Sequence, residues 1–258
     1  MPELFDMKLR ALRRDRAART GPELFLYQRA FEDCLDRLSL VQRRFDRALL
    51  LGSPDPSWAE RLRELAGELD VRDPGPLFAA RAGGHITIED RWEPPAAAYD
   101  VVLAVGTLDT VNKLPLALQL IHYAMRPNGL LIGALSGGDT LPQLRMAMRA
   151  ADAVSGGAAP HVHPRIEASA LAPLLSAGGF IDPVVDVDRA TVSYASLRRL
   201  VADLRAMAVT NILAARPRFV GRKARAAAMS AFAAAGDGSR TAEKFEILHF
   251  AAWTPAKD

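Results

Sequence analysis

The sequence predicts a doubly wound α/β domain built on a mainly parallel sheet. Residues 46–51 and 100–105 end in continuous apolar runs that lead into Gly52 and Gly106, as strands covered on both faces do. Strand-like runs alternate with helical patterns at the spacing of crossover units. No linker, low-complexity break or internal repeat divides the 258 residues, so the chain reads as one domain with a substantial core.

Taken in order, residues 1–45 are N-terminal helices. Leu24, Tyr27, Phe31, Leu35, Leu38 and Val41 recur at three- and four-residue steps, the mark of an amphipathic helix over 23–43. A strand at 46–51 follows, then a helix over 56–69 with Pro56 in its first turn. Leu77-Phe78-Ala79 and residues 85–88 read as short strands. The strand at 100–105 is the clearest of all. A helix over 114–125 is closed by Arg126-Pro127-Asn128-Gly129, and a strand follows at 130–135. Gly137-Gly138-Asp139-Thr140 precedes a helix with Pro142 in its first turn and Asp139 or Thr140 as its cap. A helix at 167–178 and a strand at 180–187 complete a core spanning 46–193. A mostly helical insertion covers 194–240, and 241–258 supplies a closing edge strand around 246–253. The last two strands are expected to pair antiparallel at the sheet edge.

Composition narrows the function classes. A hydrophobic share of 50% and a charged share of 24% are those of an ordinary soluble globular chain. The net charge of +3 comes from arginines scattered among acids, without the aromatic-interleaved basic stripe that binds nucleic acid. Cys34 stands alone, which excludes an internal disulfide and a multi-cysteine metal site, and it reads as a small buried hydrophobe. No stretch approaches the ~18 apolar residues of a membrane span. Arg10, Arg13, Arg14, Arg16 and Arg19 suggest a transit peptide, but Glu3, Asp6, Asp15 and Glu23 argue against one. A cytoplasmic, bacterial-type protein without membrane insertion is the expectation. His161 and His163 have the spacing of a metal pair, yet zinc needs further ligands and only Asp139 and His122 offer themselves, so no metal is expected. Arg222, Lys223 and Arg225 read as a solvated helix face.

Several phrases are more specific. Asp100-Val101-Val102-Leu103, Leu114-Pro115-Leu116-Ala117-Leu118 and Met125-Arg126-Pro127-Asn128-Gly129-Leu130-Leu131 resemble the class I S-adenosylmethionine (SAM)-dependent methyltransferase superfamily. Ile132-Gly133-Ala134-Leu135-Ser136-Gly137-Gly138-Asp139-Thr140-Leu141, Pro160-His161-Val162-His163-Pro164 and Asp203-Leu204-Arg205-Ala206-Met207-Ala208-Val209-Thr210-Asn211 resemble one branch of it. That branch is the methyltransferase-like assembly factors of respiratory complex I, some of them arginine hydroxylases, with a more distant likeness to malonyl-carrier-protein methyltransferases. The resemblance implies a seven-stranded, Rossmann-like sheet with a helical insertion before the last strand. It also implies SAM as cofactor, an acid and a Gly-x-Gly-x-Gly loop at the first strand, and a ribose-binding acid at the end of the second.

The chain departs from that pattern. Leu50, Gly52, Pro54 and Pro56 stand where the acid and three glycines are expected. Proline fixes φ and offers no N–H, so this loop is stiffer and poorer in donors than a cofactor cradle. No acid lies in 78–82, where the ribose acid is sought, and the loop after 105 lacks a His-Trp pair. Each lost charge-assisted contact is worth roughly 1.5–3 kcal/mol. The expectation is therefore a protein that keeps the fold, has lost SAM and acts as a protein-binding assembly factor. The alternative is an active SAM-dependent methyltransferase or protein-arginine hydroxylase with an atypical loop. The degenerate cofactor site lies around Leu50, Gly52, Pro54, Arg81, Asp90 and Val105, with Glu89 beside it. Arg81 either fills the vacated volume, reaching Asp55 or Glu89, or points to solvent. Asp139, His161 and Asn211 are the catalytic candidates, with Thr140, Tyr194 and Arg205 behind them; for Asp139 and Thr140 a capping role is equally good.

Overall fold

The computed structural model describes residues 3–216 and 220–256. Helices α1 (Met7–Thr20) and α2 (Phe25–Ser39) precede the sheet. The chain then forms β1 (Phe45–Leu51), α3 (Ser57–Arg63), β2 (Ala66–Asp73), α4 (Pro76–Arg81), β3 (His85–Ile86) and β4 (Tyr99–Val105). A 3-10 turn (Leu108–Thr110), α5 (Leu114–Ala124), β5 (Met125–Ser136), α6 (Pro142–Ser155) and α7 (Ala168–Ala177) follow. The last elements are β6 (Ile181–Tyr194), α8 (Leu197–Ala206), α9 (Arg222–Ala234) and β7 (Thr241–Trp253). The strands make one seven-stranded sheet in the order β3-β2-β1-β4-β5-β7-β6, with β7 antiparallel to both neighbours. The expected sheet class is the one the chain forms. No helix among the described residues is long and apolar enough to cross a membrane.

The continuous apolar strands are explained by their two covered faces. Successive side chains point to opposite faces of a strand. Leu49, Leu51, Val102, Ala104 and Leu131 therefore enter one core, covered by α5 and α7. Ala48, Leu50, Val101, Leu103 and Ile132 enter a second, covered by α2 and α3. There Phe31 stacks on Trp58 with centroids 4.2 Å apart. A third core joins α6, α8 and α9 around Leu144, Leu200, Leu204, Ala228 and Phe232.

Several expectations are corrected. The helix expected over 56–69 stops at Arg63, because Ala66–Asp73 pairs in parallel with β1. Leu65 and Leu69 fit a helical period, but Leu69, Val71 and Asp73 equally fit a strand, and pairing decides. A Cβ at Gly67 would lie 2.9 Å from the Asp46 carbonyl oxygen, so the close approach of these strands uses its missing side chain. Leu77-Phe78-Ala79 is helical, lying in α4 with Pro76 at its start. Strand β6 runs on to Tyr194 as the exposed edge, whereas β7, expected at the edge, lies between β5 and β6. Neither Asp139 nor Thr140 caps α6. Leu141, at φ 62°, holds that position, and the Glu243 carboxylate of β7 accepts from the amides of Gln143 (3.1 Å) and Leu144 (2.8 Å).

Candidate functional site

Strand order reverses between β1 and β4, and in doubly wound sheets ligands bind outside the carboxyl ends of the strands at such a point. Gly52 ends β1 at φ 90°, where a Cβ would sit 2.3 Å from the Val105 carbonyl oxygen. The glycine is thus required by the fold itself. Asp73 ends β2 and is fully buried. Its Oδ1 accepts from Arg14 Nε (2.7 Å) and the Gly75 amide (2.7 Å), and its Oδ2 from Arg14 Nη2 (2.5 Å) and the Ser53 amide (2.9 Å). Burial alone would lower the Arg14 pKa; the Asp73 carboxylate outweighs it and holds the guanidinium firmly protonated. One turn earlier on α1, Arg10 grips both oxygens of Glu89 at 2.7 and 2.8 Å and donates to the Thr107 carbonyl at 2.7 Å. This pair is also buried.

Helix α1 therefore lies over the crevice with two arginines on its acids. From α2, Tyr27 covers Gly106, where a Cβ would meet its ring at 2.4 Å, and donates its hydroxyl to the Met207 carbonyl at 3.0 Å. Burial pushes the Tyr27 phenol up to about 12. Between Arg10, Arg14, Tyr27 and Gly106 only about 10 Å³ remains, and about 70 Å³ opens beside Tyr27 and Ser136.

This arrangement overturns part of the sequence reading. An acid does end the second strand, but it is Asp73: β2 ends there, six residues before Ala79, the end of the strand read at 77–79. Arg81 is not the filler: exposed on α4, it donates to the Ala18 carbonyl at 2.7 Å and ties down the end of α1. Asp90 caps backbone elsewhere, accepting from the Lys113 amide at 2.9 Å, and Glu89 is the acid that faces α1. Leu50 and Val105 point into the second core, and Pro54 is buried in the loop. Asp73 is not among the sequence candidates, and Arg10 and Arg14 read there only as part of a basic N-terminus, although their spacing of four places them on one helix face.

A larger cavity of about 670 Å³ lies beneath the helical insertion. His161 and Asn211 both line it; Asp139 does not, being exposed at the end of β5. His161 Nε2 meets Asp152 at 2.7 Å and holds that carboxyl below its ordinary range. Asn211 donates to the Pro160 carbonyl at 2.7 Å and accepts from the Leu213 amide at 2.9 Å, which pins the insertion to the 160 loop. Thr140 bridges to the backbone of Glu246, and Tyr194 is buried in the third core. His163 is buried against Phe5, and its Nε2 accepts from the Ile212 amide at 2.9 Å. Burial first, then Arg165, pulls the His163 imidazole down to about 4. Among the described residues no group of three or more histidines, cysteines or carboxylates is gathered to hold a metal.

No family model matches the chain. It is 29% identical over 265 residues to the arginine-hydroxylase NDUFAF5, mitochondrial, of Rattus norvegicus, covering 97% of this chain and 77% of that protein. It is 30% identical over 264 residues to the malonyl-[acyl-carrier protein] O-methyltransferase of Laribacter hongkongensis, covering 94% and 87%. Its fold superposes on that of the Haemonchus contortus phosphoethanolamine N-methyltransferase 2, solved in complex with SAM, with a TM-score of 0.53 at 13% identity over 87% of this chain and 52% of that one. The chain belongs to the class I SAM-dependent methyltransferase superfamily, in the branch shared by the arginine-hydroxylase NDUFAF5 and the malonyl-[acyl-carrier protein] O-methyltransferases.

Proposed function

We propose that this protein is an assembly factor of methyltransferase fold that works by holding a protein partner rather than by transferring a methyl group. The supporting observation is the pair of arginines from α1 on the crevice acids. Asp73 already accepts four hydrogen bonds, from Arg14, Ser53 and Gly75. The residues present do not fit SAM in this arrangement, since ligand pockets span about 300–1,000 Å³ and only about 10 Å³ is open beside Arg14. The prolines of the 52–56 loop withhold further donors. A subunit of respiratory complex I is the kind of partner that the resemblance favours.

A second reading, an active SAM-dependent enzyme, is favoured by one observation: Asp73 stands at the end of β2, where a ribose acid belongs. Opening α1 would then have to precede binding. Calorimetry with SAM and S-adenosylhomocysteine separates the readings. The first expects no affinity tighter than about millimolar, which corresponds to about −4 kcal/mol. Micromolar binding, or a stability gain near 2.7 kcal/mol at a hundredfold Kd, would overturn it in favour of the second.

A further inference from the structure

The arginines of α1 divide into two faces. Arg10 and Arg14 are neutralised by buried carboxylates, whereas Arg13 lines the cavity under the insertion and Arg16 reaches Thr210 on its rim. There Arg13 meets Arg205 from α8 and Arg216 from the segment after it. Burial lowers the pKa of Arg13, and Arg16, Arg216 and Arg205 lower it further; burial and then Arg205 do the same to Arg16. Among the described residues, Arg13 and Arg205 have no carboxylate partner, and Arg13 Nε is buried without a hydrogen bond. Among the described residues that line the cavity the single acid is Asp6, 3.5 Å from Arg216. Arg16 contacts only a hydroxyl, Thr210 Oγ1, at 3.4 Å. Elsewhere Arg29, Arg37 and Arg61 all sit on carboxylates.

Mutually repelling guanidinium groups on a half-buried surface reduce stability, and a guest that brings negative charge removes the penalty. Arginine is also the side chain best suited to grip a planar oxyanion with two parallel N–H donors. The cavity is also lined by apolar side chains, among them Leu144, Met148, Val201 and Val209. At about 670 Å³ the cavity has the size of a ligand site rather than of a flat protein interface.

We propose that this cavity takes an acidic, apolar-flanked segment of a polypeptide, its carboxylates held by Arg13, Arg205 and Arg216 and its apolar side chains by the apolar part of the lining. The inference rests on the proposed function in one respect only, that the guest arrives on a protein. It also bears on the substrate class: an arginine side chain would add a further cation to the cluster and is disfavoured here.

The test is calorimetry on the full chain with three capped six-residue peptides, alternating leucine with glutamate, glutamine or arginine, and with inorganic pyrophosphate. The glutamate peptide is expected to bind at least tenfold more tightly than the glutamine peptide and to weaken as salt is raised, with no binding of the arginine peptide. The double variant Arg13→Gln, Arg205→Gln is expected to lose at least tenfold in affinity while its Tm stays level or rises. Equal binding of the glutamate and glutamine peptides, an unchanged double variant, or pyrophosphate matching the glutamate peptide would each overturn the inference. Titrating SAM into the same sample keeps the two proposals apart. Micromolar SAM with selective glutamate binding refutes only the proposed function; failure of both ligands refutes only this inference.

Discussion

At the scale of single residues, Asp73 and His163 carry the sharpest consequences. Asp73 is satisfied by four hydrogen bonds, two of them from Arg14. Removing one member of a buried pair leaves the other charge unpaired, so Arg14→Ala is expected to cost about 3–5 kcal/mol, read as a lower urea midpoint. Arg81→Ala removes one part-buried hydrogen bond to the Ala18 carbonyl and is expected to cost about 1 kcal/mol. His163 titrates near 4 in the folded chain against 6.5 ordinarily. Its folded pKa is depressed, so its neutral form supports the fold fully above pH 6.5. That support drains away as pH falls from 6.5 towards 4, because the unfolded chain takes up the proton first. The loss is about 3 kcal/mol over that window. Urea midpoints at pH 7, 5 and 4 check it, and His163→Gln is expected to flatten the dependence relative to wild type.

At the scale of elements, α6 begins without a cap of its own and borrows Glu243 from β7. Burial raises the Glu243 pKa despite these amide contacts. Glu243→Ala is expected to cost about 1–2 kcal/mol, as lost helix caps do. Hydrogen exchange is the discriminating measurement: the amides of Gln143 and Leu144 are expected to exchange faster while those of β1 and β4 stay protected. Gly52 is an element boundary of another kind. A side chain at φ 90° and 2.3 Å from the Val105 carbonyl oxygen combines backbone strain with overlap, so Gly52→Ala is expected to cost more than about 1–3 kcal/mol and to lower Tm sharply. An unchanged Tm would mean that the ends of β1 and β4 approach less closely than they stand.

At the scale of the whole molecule, the crevice, the insertion and α1 act as one unit. Relaxing the loop by Pro54→Gly and Pro56→Gly is expected to leave SAM unbound while Arg10 and Arg14 remain. Adding Arg10→Ala and Arg14→Ala empties the crevice, and calorimetry on the folded variant then shows whether the acids alone suffice. The sequence by itself determined strands 1, 4 and 5 and the paired last strands. Their apolar runs have no other stable setting than a sheet covered on both faces, and such a pattern is local. It also carried the family resemblance and placed His161 and Asn211, which line one cavity. Only the tertiary structure decided which acid ends β2, because Leu65, Leu69 and Val71 satisfy two periods until Ala66–Asp73 pairs with β1. Only it revealed Arg14 on Asp73, a contact between residues 59 apart in the chain. A charged side chain on a helix carries no mark of the face it will occupy. Packing against a distant strand chooses that face, and with it which arginines are neutralised and which are left to meet a guest.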